Sequence, residues 1–408
     1  MPNLIKSVKI RNYRSLADVE VELGPLTILV GPNGSGKSNF LDALHFVADA
    51  LDTTLSAAIR SRGGIKTVRR HSTGHPTHFS IRIDFEVENA GSPYRGFFEF
   101  EVTVERGSND RYLVKREKCA IQPVWPADSP PNVPFGYETK NGAFVHQPEG
   151  ISPKIERDRL ALTVLSAIEP FHSVYDFLSQ MRFYNLRPEW LQELQAPDPG
   201  TSLMSDGYNA ASVLRELRRK SPEKYRQICE LLSAIVPGVE KVESVMIGPK
   251  ETIRFRQDVG GRSPWVFDAV NMSDGTLQAL GVLLAVYQEP TPSLVAIEEP
   301  ESSIHPAAAD VLIDVLKDGS RDCQILVTTH SPDLLDHKSI RDEELRAVAW
   351  SQGITTISPI SEVSRRAVRE HLYTFGDLMR MGRLISDQEA RTPYQPPESC
   401  LESKESIG

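Results

Sequence analysis

Two clusters of residues have the types and spacing for phosphate chemistry. Gly31 to Ser38, GPNGSGKS, fits G-x-x-x-x-G-K-[ST]. In such a loop glycines let successive backbone N–H groups and a helix N-terminus face an anion, the lysine reaches the outer phosphates, and the last hydroxyl ligates a divalent metal. On that pattern Asn33, Gly34, Ser35, Gly36, Lys37, Ser38 and Asn39 are candidate contacts to ATP, with Ser38 on Mg2+. The second cluster is IEEPESSIHP, Ile297 to Pro306, in which Glu298 and Glu299 leave an apolar run side by side and a third acid, Glu301, follows a proline. A Mg2+-nucleotide site needs one carboxylate near the metal and, for hydrolysis, a second that holds and deprotonates the attacking water. Glu298, first off the strand, is expected to serve the metal or its water shell, and Glu299 to be the general base. Alone, paired acids mark a solvated edge; the phosphate loop in the same chain makes them a candidate site.

These groups need a strand, a loop and a helix to carry them. Leu26 to Val30, LTILV, is a continuous apolar run of the buried, parallel kind, and Phe40, Leu44, Val47 and Leu51 then recur at helical spacing. Leu294 to Ile297 and Ile325 to Val327 are further apolar strands, separated by a helix with Val311, Leu312, Val315 and Leu316 that stops at Gly319. This β-α-β order predicts a parallel sheet with helices packed on it, and ligands gather at the carboxyl ends of such strands. Around this unit Ile5, Val8 and Ile10, then Val19, Val21 and Leu23, read as short strands. Phe79 to Val87 and Phe98 to Val104 alternate strictly, as antiparallel strands joined across NAGSPYRG. Ile253 and Phe255 alternate as another strand, after which Leu277, Leu280, Leu284 and Tyr287 take helical spacing. The expected class is α/β, with a mixed or parallel sheet, an antiparallel β lobe and a helical insertion. The expected divisions are 1–121 with the phosphate loop and β lobe, a Pro/Gly-rich surface excursion over 122–153, a helical lid over 154–237, a second lobe over 238–386 and a disordered tail over 387–408.

Composition narrows the function classes. The chain of 408 residues is 40% hydrophobic and has 46 Lys plus Arg against 55 Asp plus Glu, a net charge of −9. Bulk charge therefore does not coat nucleic acid, and any DNA contact must use a local patch. IRSRGGIKTVRRH, Ile59 to His71, is such a patch, with Arg60, Arg62, Lys66, Arg69 and Arg70 and no acid. It equally fits a solvated loop. RELRRKSPEKYRQ, Arg215 to Gln227, reads rather as an ordinary exposed helix. Cys119, Cys229, Cys323 and Cys400 are scattered, without CxxC spacing or a disulfide pattern. No apolar stretch approaches the roughly 20 residues of a membrane span, and the N-terminus lacks a signal-peptide core. A soluble cytoplasmic protein with no membrane partner is expected.

In chain order, IRNYRSL (Ile10 to Leu16), GPNGSGKS, SDGT (Ser273 to Thr276), IEEPESSIHP and LVTTHSP (Leu326 to Pro332) resemble the motifs of ABC-type ATPase heads of the SMC and RecF-like group, especially compact bacterial AAA-family ATPases related to the OLD (overcoming lysogenisation defect) proteins. The resemblance implies a P-loop NTPase head that uses ATP and Mg2+. It makes SDGT the signature segment, with Ser273, Asp274 and Gly275 meeting the γ phosphate held by an opposite protomer, and so implies a homodimer formed on ATP. A serine cap and helix N-terminus at this place form an anion site separate from the phosphate loop. His330 matches the switch histidine that senses the γ phosphate, and Ser303 and His305 match the loop joining the two sites.

Departures from the pattern accompany it. Glu298 stands where such heads carry Asp, Asp274 and Thr276 replace Gly and Gln of the transporter signature, and the usual Q-loop glutamine has only Gln180 as a candidate. No heptads separate Ser38 from Ser273, so a compact helical lid replaces the coiled coil of long SMC proteins. After His330 no Asp-x-Asp of a Toprim nuclease follows, so the chain is not expected to cut nucleic acid itself. Leu372, Phe375, Leu378 and Met379 fall near one another on a possible helix that docks internally or against a partner. The implied role is an ATPase that gates a DNA-related process, phage defence or DNA repair, with a separate effector such as a nuclease. The alternative is a nucleotide-dependent scaffold or sensor that scarcely turns over; a transporter subunit is disfavoured by the signature.

Overall fold

The computed structural model describes residues 3–71, 76–89, 92–105, 111–124, 135–147, 153–261 and 263–387. The apolar runs Leu26–Val30, Leu294–Glu298 and Gln324–Thr329 lie side by side and parallel at the centre of a six-stranded sheet. Its order is Ile354–Pro359, Leu345–Ser351, Leu26–Val30, Gln324–Thr329, Leu294–Glu298, Met181–Tyr184. Only Ile354–Pro359 runs antiparallel to its neighbour. Every residue of Leu26–Val30 and of Gln324–Thr329 is buried, as continuous apolar strands covered on both faces must be. The register pairs Val30 with Thr329 and Glu298 with Thr328. The phosphate loop, the paired acids and the segment leading to His330 therefore leave the sheet at one edge.

One face of this sheet carries the helix Lys37–Asp52, beneath a seven-stranded antiparallel sheet. Phe46 of that helix meets Tyr13, Phe79 and Phe100 of the antiparallel strands, with ring centroids 5.5 to 6.3 Å apart. Edge-to-face geometry dominates the cluster, as ring quadrupoles favour. The other face packs on the helix Asp274–Tyr287, buried from Thr276 to Tyr287. A helix apolar all round belongs in a core. Helices Ala210–Lys220, Pro222–Ile235 and Ala309–Gly319 surround it, and a three-stranded sheet, Val239–Ile247, Lys250–Gln257 and Trp265–Asp268, flanks its start.

The structure departs from the sequence reading in places. The excursion over 122–153 supplies two strands of the antiparallel sheet, Phe135–Lys140 and Ala143–His146. Phe135 and Tyr137 anchor it on Phe171, with ring centroids 5.0 and 5.1 Å away. The joint NAGSPYRG is mostly strand, because Ser92–Val104 begins within it. The stretch expected to be helical over 154–237 contains Met181–Tyr184, an edge strand of the central sheet. Four residues are too few for a period to register. Leu372 stays exposed while Phe375 and Leu378 are buried, because the helix Phe375–Arg380 begins only after Thr374, whose hydroxyl and Asp377 form a reciprocal cap. Apart from Asp387, the expected tail over 387–408, Cys400 included, lies outside the described residues. Cys119, Cys229 and Cys323 are free and buried. Among the described residues no helix is long and apolar enough to cross a membrane.

Candidate nucleotide site

The phosphate loop turns on two left-handed glycines, Gly34 at φ 76° and Gly36 at φ 105°. Gly36 caps the helix whose first residue is Lys37. Its left-handed backbone, and a side wall that would place a β carbon 2.1 Å from the Thr355 hydroxyl, leave room for glycine alone. Asn33 and Gly34 are exposed at the tip. Ser35 Oγ is buried and has no hydrogen-bond partner among the described residues. Lys37 is 5% exposed and donates from Nζ to the carbonyls of Gly31, at 2.7 Å, and Pro32, at 3.0 Å. Burial pulls its pKa below the usual lysine value, against the opposing charges of Glu299, Glu301 and Glu298.

The acids arrive from the adjacent strand ends. Ser38 Oγ donates to Glu298 Oε2 at 2.6 Å, which unites the two groups expected to serve the metal. Glu299 takes φ 45°, a left-handed turn that is costly for a side chain longer than Asn and marks a held position. Its N–H reaches the carbonyl of Thr328, at 3.1 Å, and the Thr328 hydroxyl, at 3.2 Å. His330 Nδ1–H donates to Glu299 Oε1 at 2.9 Å, because a carboxylate only accepts. The expected base and the expected switch histidine are therefore in direct contact. The donor set fits a Mg2+-nucleotide: a hydroxyl and a carboxylate for a hard cation, a lysine and helix N–H groups for phosphate.

The segment expected to be the signature starts the helix Asp274–Tyr287. Ser273 Oγ accepts from the N–H of Thr276 at 3.3 Å, and Asp274 accepts from Gln192 Nε2 at 3.0 Å. Gly275 lies against the loop that follows Glu299, and a β carbon there would fall 2.3 Å from the Ser303 carbonyl oxygen. Ser303 itself is left-handed at φ 63°, and His305 caps the short turn Pro306–Ala308 through Nδ1. Among the described residues no hydrogen bond ties Ser273, Asp274 or Gly275 to the phosphate loop of the same chain.

Other expectations change. Gln180 precedes a strand parallel to Leu294–Glu298, with Met181 opposite Leu294, so it sits at the end of the sheet away from Glu298. Asn185 follows that strand at the site's end and lines, with His45, Ser205 and Glu298, a cavity of about 160 Å3. The side chain of Asn39 donates to Ser15 Oγ at 2.7 Å, toward the first hairpin. The basic patch does not survive as a surface. Arg62 is buried and bonded to Asp42 and Asp49, each at 2.8 Å, with its guanidinium 5.3 Å above the Phe46 ring. Arg70 is buried beside the first strand, its N–H on the Asn12 carbonyl, and Arg69 donates to the Pro76 carbonyl. Arg60 and Lys66 remain exposed. Run-length and sign of charge are visible in sequence; the acids that fold against them are not.

Glu301 was given no role by sequence, yet it is the most enclosed acid of the group. Its Oε1 accepts from the Thr329 hydroxyl at 2.5 Å, Oε2 is buried without a partner among the described residues, and burial pushes its pKa up. No spacing in IEEPESS announces it, because its partner Thr329 ends the neighbouring strand Gln324–Thr329.

A phosphate loop, a strand-end acid pair and a histidine at one edge of a mixed sheet, under an antiparallel lobe, define an ABC-type P-loop ATPase head of SMC and RecF architecture. The chain belongs to the family described as "AAA domain, putative AbiEii toxin, Type IV TA system", which matches residues 26–128 and 186–336, more than half of its length. It is 46% identical over 44 residues to the OLD nuclease of Thermus scotoductus, 11% of this chain and 8% of that protein. It is 32% identical over 84 residues to the DNA replication and repair protein RecF of Streptococcus agalactiae, 20% of each. The chain thus matches only a small part of these relatives. Among solved structures, an Smc head bound to the C-terminal winged-helix domain of ScpA superposes with TM-score 0.53 at 16% identity, over 90% of this chain and 99% of that one. That likeness is one of fold.

Proposed function

We propose that the chain binds ATP with Mg2+, closes as a homodimer on it, and hydrolyses it to gate a DNA-related process through a separate effector. The observation that carries the reading is the convergence at one sheet edge of Lys37, the Ser38–Glu298 pair and the Glu299–His330 pair. Bound Mg2+ would neutralise developing phosphate charge, held by Ser38 and, directly or through water, by Glu298. Glu299 holds and deprotonates the attacking water, and His330, donating to its carboxylate, fixes its direction and faces the outer phosphate. Asn33, Gly34, Ser35 and Gly36 wrap the phosphates with Lys37. Ser273, Asp274 and Gly275, which make no hydrogen bond to the chain's own loop among the described residues, complete the site of a second protomer.

The kinship with an OLD nuclease and with RecF supports a DNA setting, phage defence or repair, and a nuclease as effector. Exposed Arg60 and Lys66 are the remaining DNA contacts of the basic run. The test is steady-state phosphate release with light scattering for mass. Wild-type protein is expected to turn over ATP, and Glu299→Gln to lose at least a hundredfold in turnover while accumulating an ATP-bound dimer. ATP binding without turnover, with or without DNA, would instead establish the scaffold reading.

A further inference from the structure

Thr355 lies at the start of the strand Ile354–Pro359, far along the chain from the phosphate loop, and is fully buried against it. Its Oγ1 donates to the Ser35 carbonyl at 2.9 Å. The same oxygen lies 2.7 Å from Ser15 Oγ, and Ser15 Oγ lies 2.7 Å from Asn39 Nδ2. A hydroxyl has one proton, and an amide nitrogen only donates, so the direction of every bond is fixed. Asn39 donates to Ser15, Ser15 donates to Thr355, and Thr355 donates to Ser35. The Thr355 backbone N–H also donates to the Ser15 carbonyl at 3.1 Å, which locks strand and hairpin together.

The chain of bonds begins on the first turn of the helix at Asn39 and ends on the loop at Ser35, with left-handed Gly36 and with Lys37 between its two ends. Donors in series polarise one another, so the last bond is stronger than an isolated one. We propose that Thr355 is a positioning residue for nucleotide: through Ser15 it clamps both sides of the Gly36 turn, so that the N–H groups after Ser35 hold their phosphate-facing direction before ligand arrives. The inference rests on the reading of Gly31 to Ser38 as an ATP loop. Without the hydroxyl, the buried Ser35 carbonyl loses its donor and the half-buried Ser15 hydroxyl its acceptor, and the turn relaxes. Preorganisation is lost, which weakens binding more than it slows a bound nucleotide's reaction.

The test compares wild type with Thr355→Val, which keeps the shape and removes the hydroxyl, and Thr355→Ser, which keeps the hydroxyl. ATP affinity is measured by titration calorimetry, protection of the Gly36 to Asn39 amides by hydrogen exchange without nucleotide, and global stability by urea. Thr355→Val is expected to bind ATP about tenfold more weakly, with the ATP concentration for half-maximal turnover raised, the saturated rate retained and those amides exchanging faster. Thr355→Ser is expected within about twofold of wild type. Ser15→Ala, which breaks the chain one step earlier, should shift affinity the same way by about threefold and serves if Thr355→Val does not fold. Unchanged affinity and exchange in Thr355→Val, or an equal loss in Val and Ser, overturns the inference. Absence of ATP binding by wild type, or binding unaltered by Lys37→Ala, instead overturns the nucleotide reading and this inference with it.

Discussion

Arg60 and Arg62 stand two residues apart in one basic run, and folding separates their roles. Arg60 is exposed on the helix Leu55–Ser61, its guanidinium on Ser56 Oγ at 3.3 Å. Arg62 turns inward, where burial alone would lower its pKa and Asp42, Tyr13 and Asp49 more than reverse that. Asp42 also accepts from the Tyr13 hydroxyl at 2.5 Å and from Arg14 at 3.0 Å, so one carboxylate ties the helix of the phosphate loop to the first strand and to Arg62 at the end of the following helix. Removing one partner of such a buried group leaves carboxylates without compensation. Arg62→Ala is expected to cost about 3 kcal/mol in urea unfolding, while Arg60→Ala stays within about 0.5 kcal/mol. Equal small costs would contradict the buried assignment. The same substitutions sort DNA binding, since only Arg60 is placed to weaken it without unfolding the protein.

At the scale of elements, a buried carboxylate joins the antiparallel lobe to the chain that returns to the central sheet. Glu117, in the strand Tyr112–Pro123, accepts from the Tyr137 hydroxyl at 2.6 Å and from the N–H groups of Ala161, at 2.5 Å, and Leu162, at 2.8 Å. Burial raises its pKa from 4.5 to about 7, although these three donors pull the other way. With the folded value above the unfolded one, the native state binds the extra proton between those limits. Glu117 therefore contributes most below pH 4.5, and its contribution falls away as pH rises toward 7, by about 3 kcal/mol in all. In Glu117→Gln this slope should vanish, so that the stability difference between wild type and variant, from urea curves at pH 5 and pH 8, changes by about that amount. A difference independent of pH would mean that Glu117 stays ionised throughout.

Elements also mark what sequence could reveal. Long periods spoke clearly: Lys37–Asp52, Asp274–Tyr287 and the five-residue strand Leu26–Val30 follow from apolar spacing, and the motifs at their ends followed with them. Met181–Tyr184 and Phe135–Lys140 did not, since one is too short for a period and the other is set among prolines and glycines. Glu298, Glu299 and His330 were legible because each leaves a readable strand. Thr355 and Glu301 were not, because their meaning depends on hydrogen bonds, to Ser35 and Thr329, that no spacing announces.

For the whole molecule, the decisive question is how the acid loop and the segment proposed to serve a second protomer act together. The loop from Glu299 to Ser303 carries two of the acids, and the helix from Asp274 opens with the segment proposed to complete a second protomer's site. They touch where Gly275 meets the Ser303 carbonyl. That contact is backbone against backbone on the Ser303 side, held by the left-handed turns at Glu299 and Ser303, so neither partner can yield by a rotamer change. A methyl at Gly275 would press the carbonyl from 2.3 Å and must move the loop, the helix start, or both. Lys37 and the Gly36 turn stand outside this contact. Gly275→Ala is accordingly expected to bind ATP within about threefold of wild type while losing more than tenfold in turnover and failing to form the ATP-dependent dimer. Fluorescent-nucleotide titration, phosphate release and light scattering on one preparation separate these effects. Wild-type turnover in Gly275→Ala would show that hydrolysis does not depend on this joint.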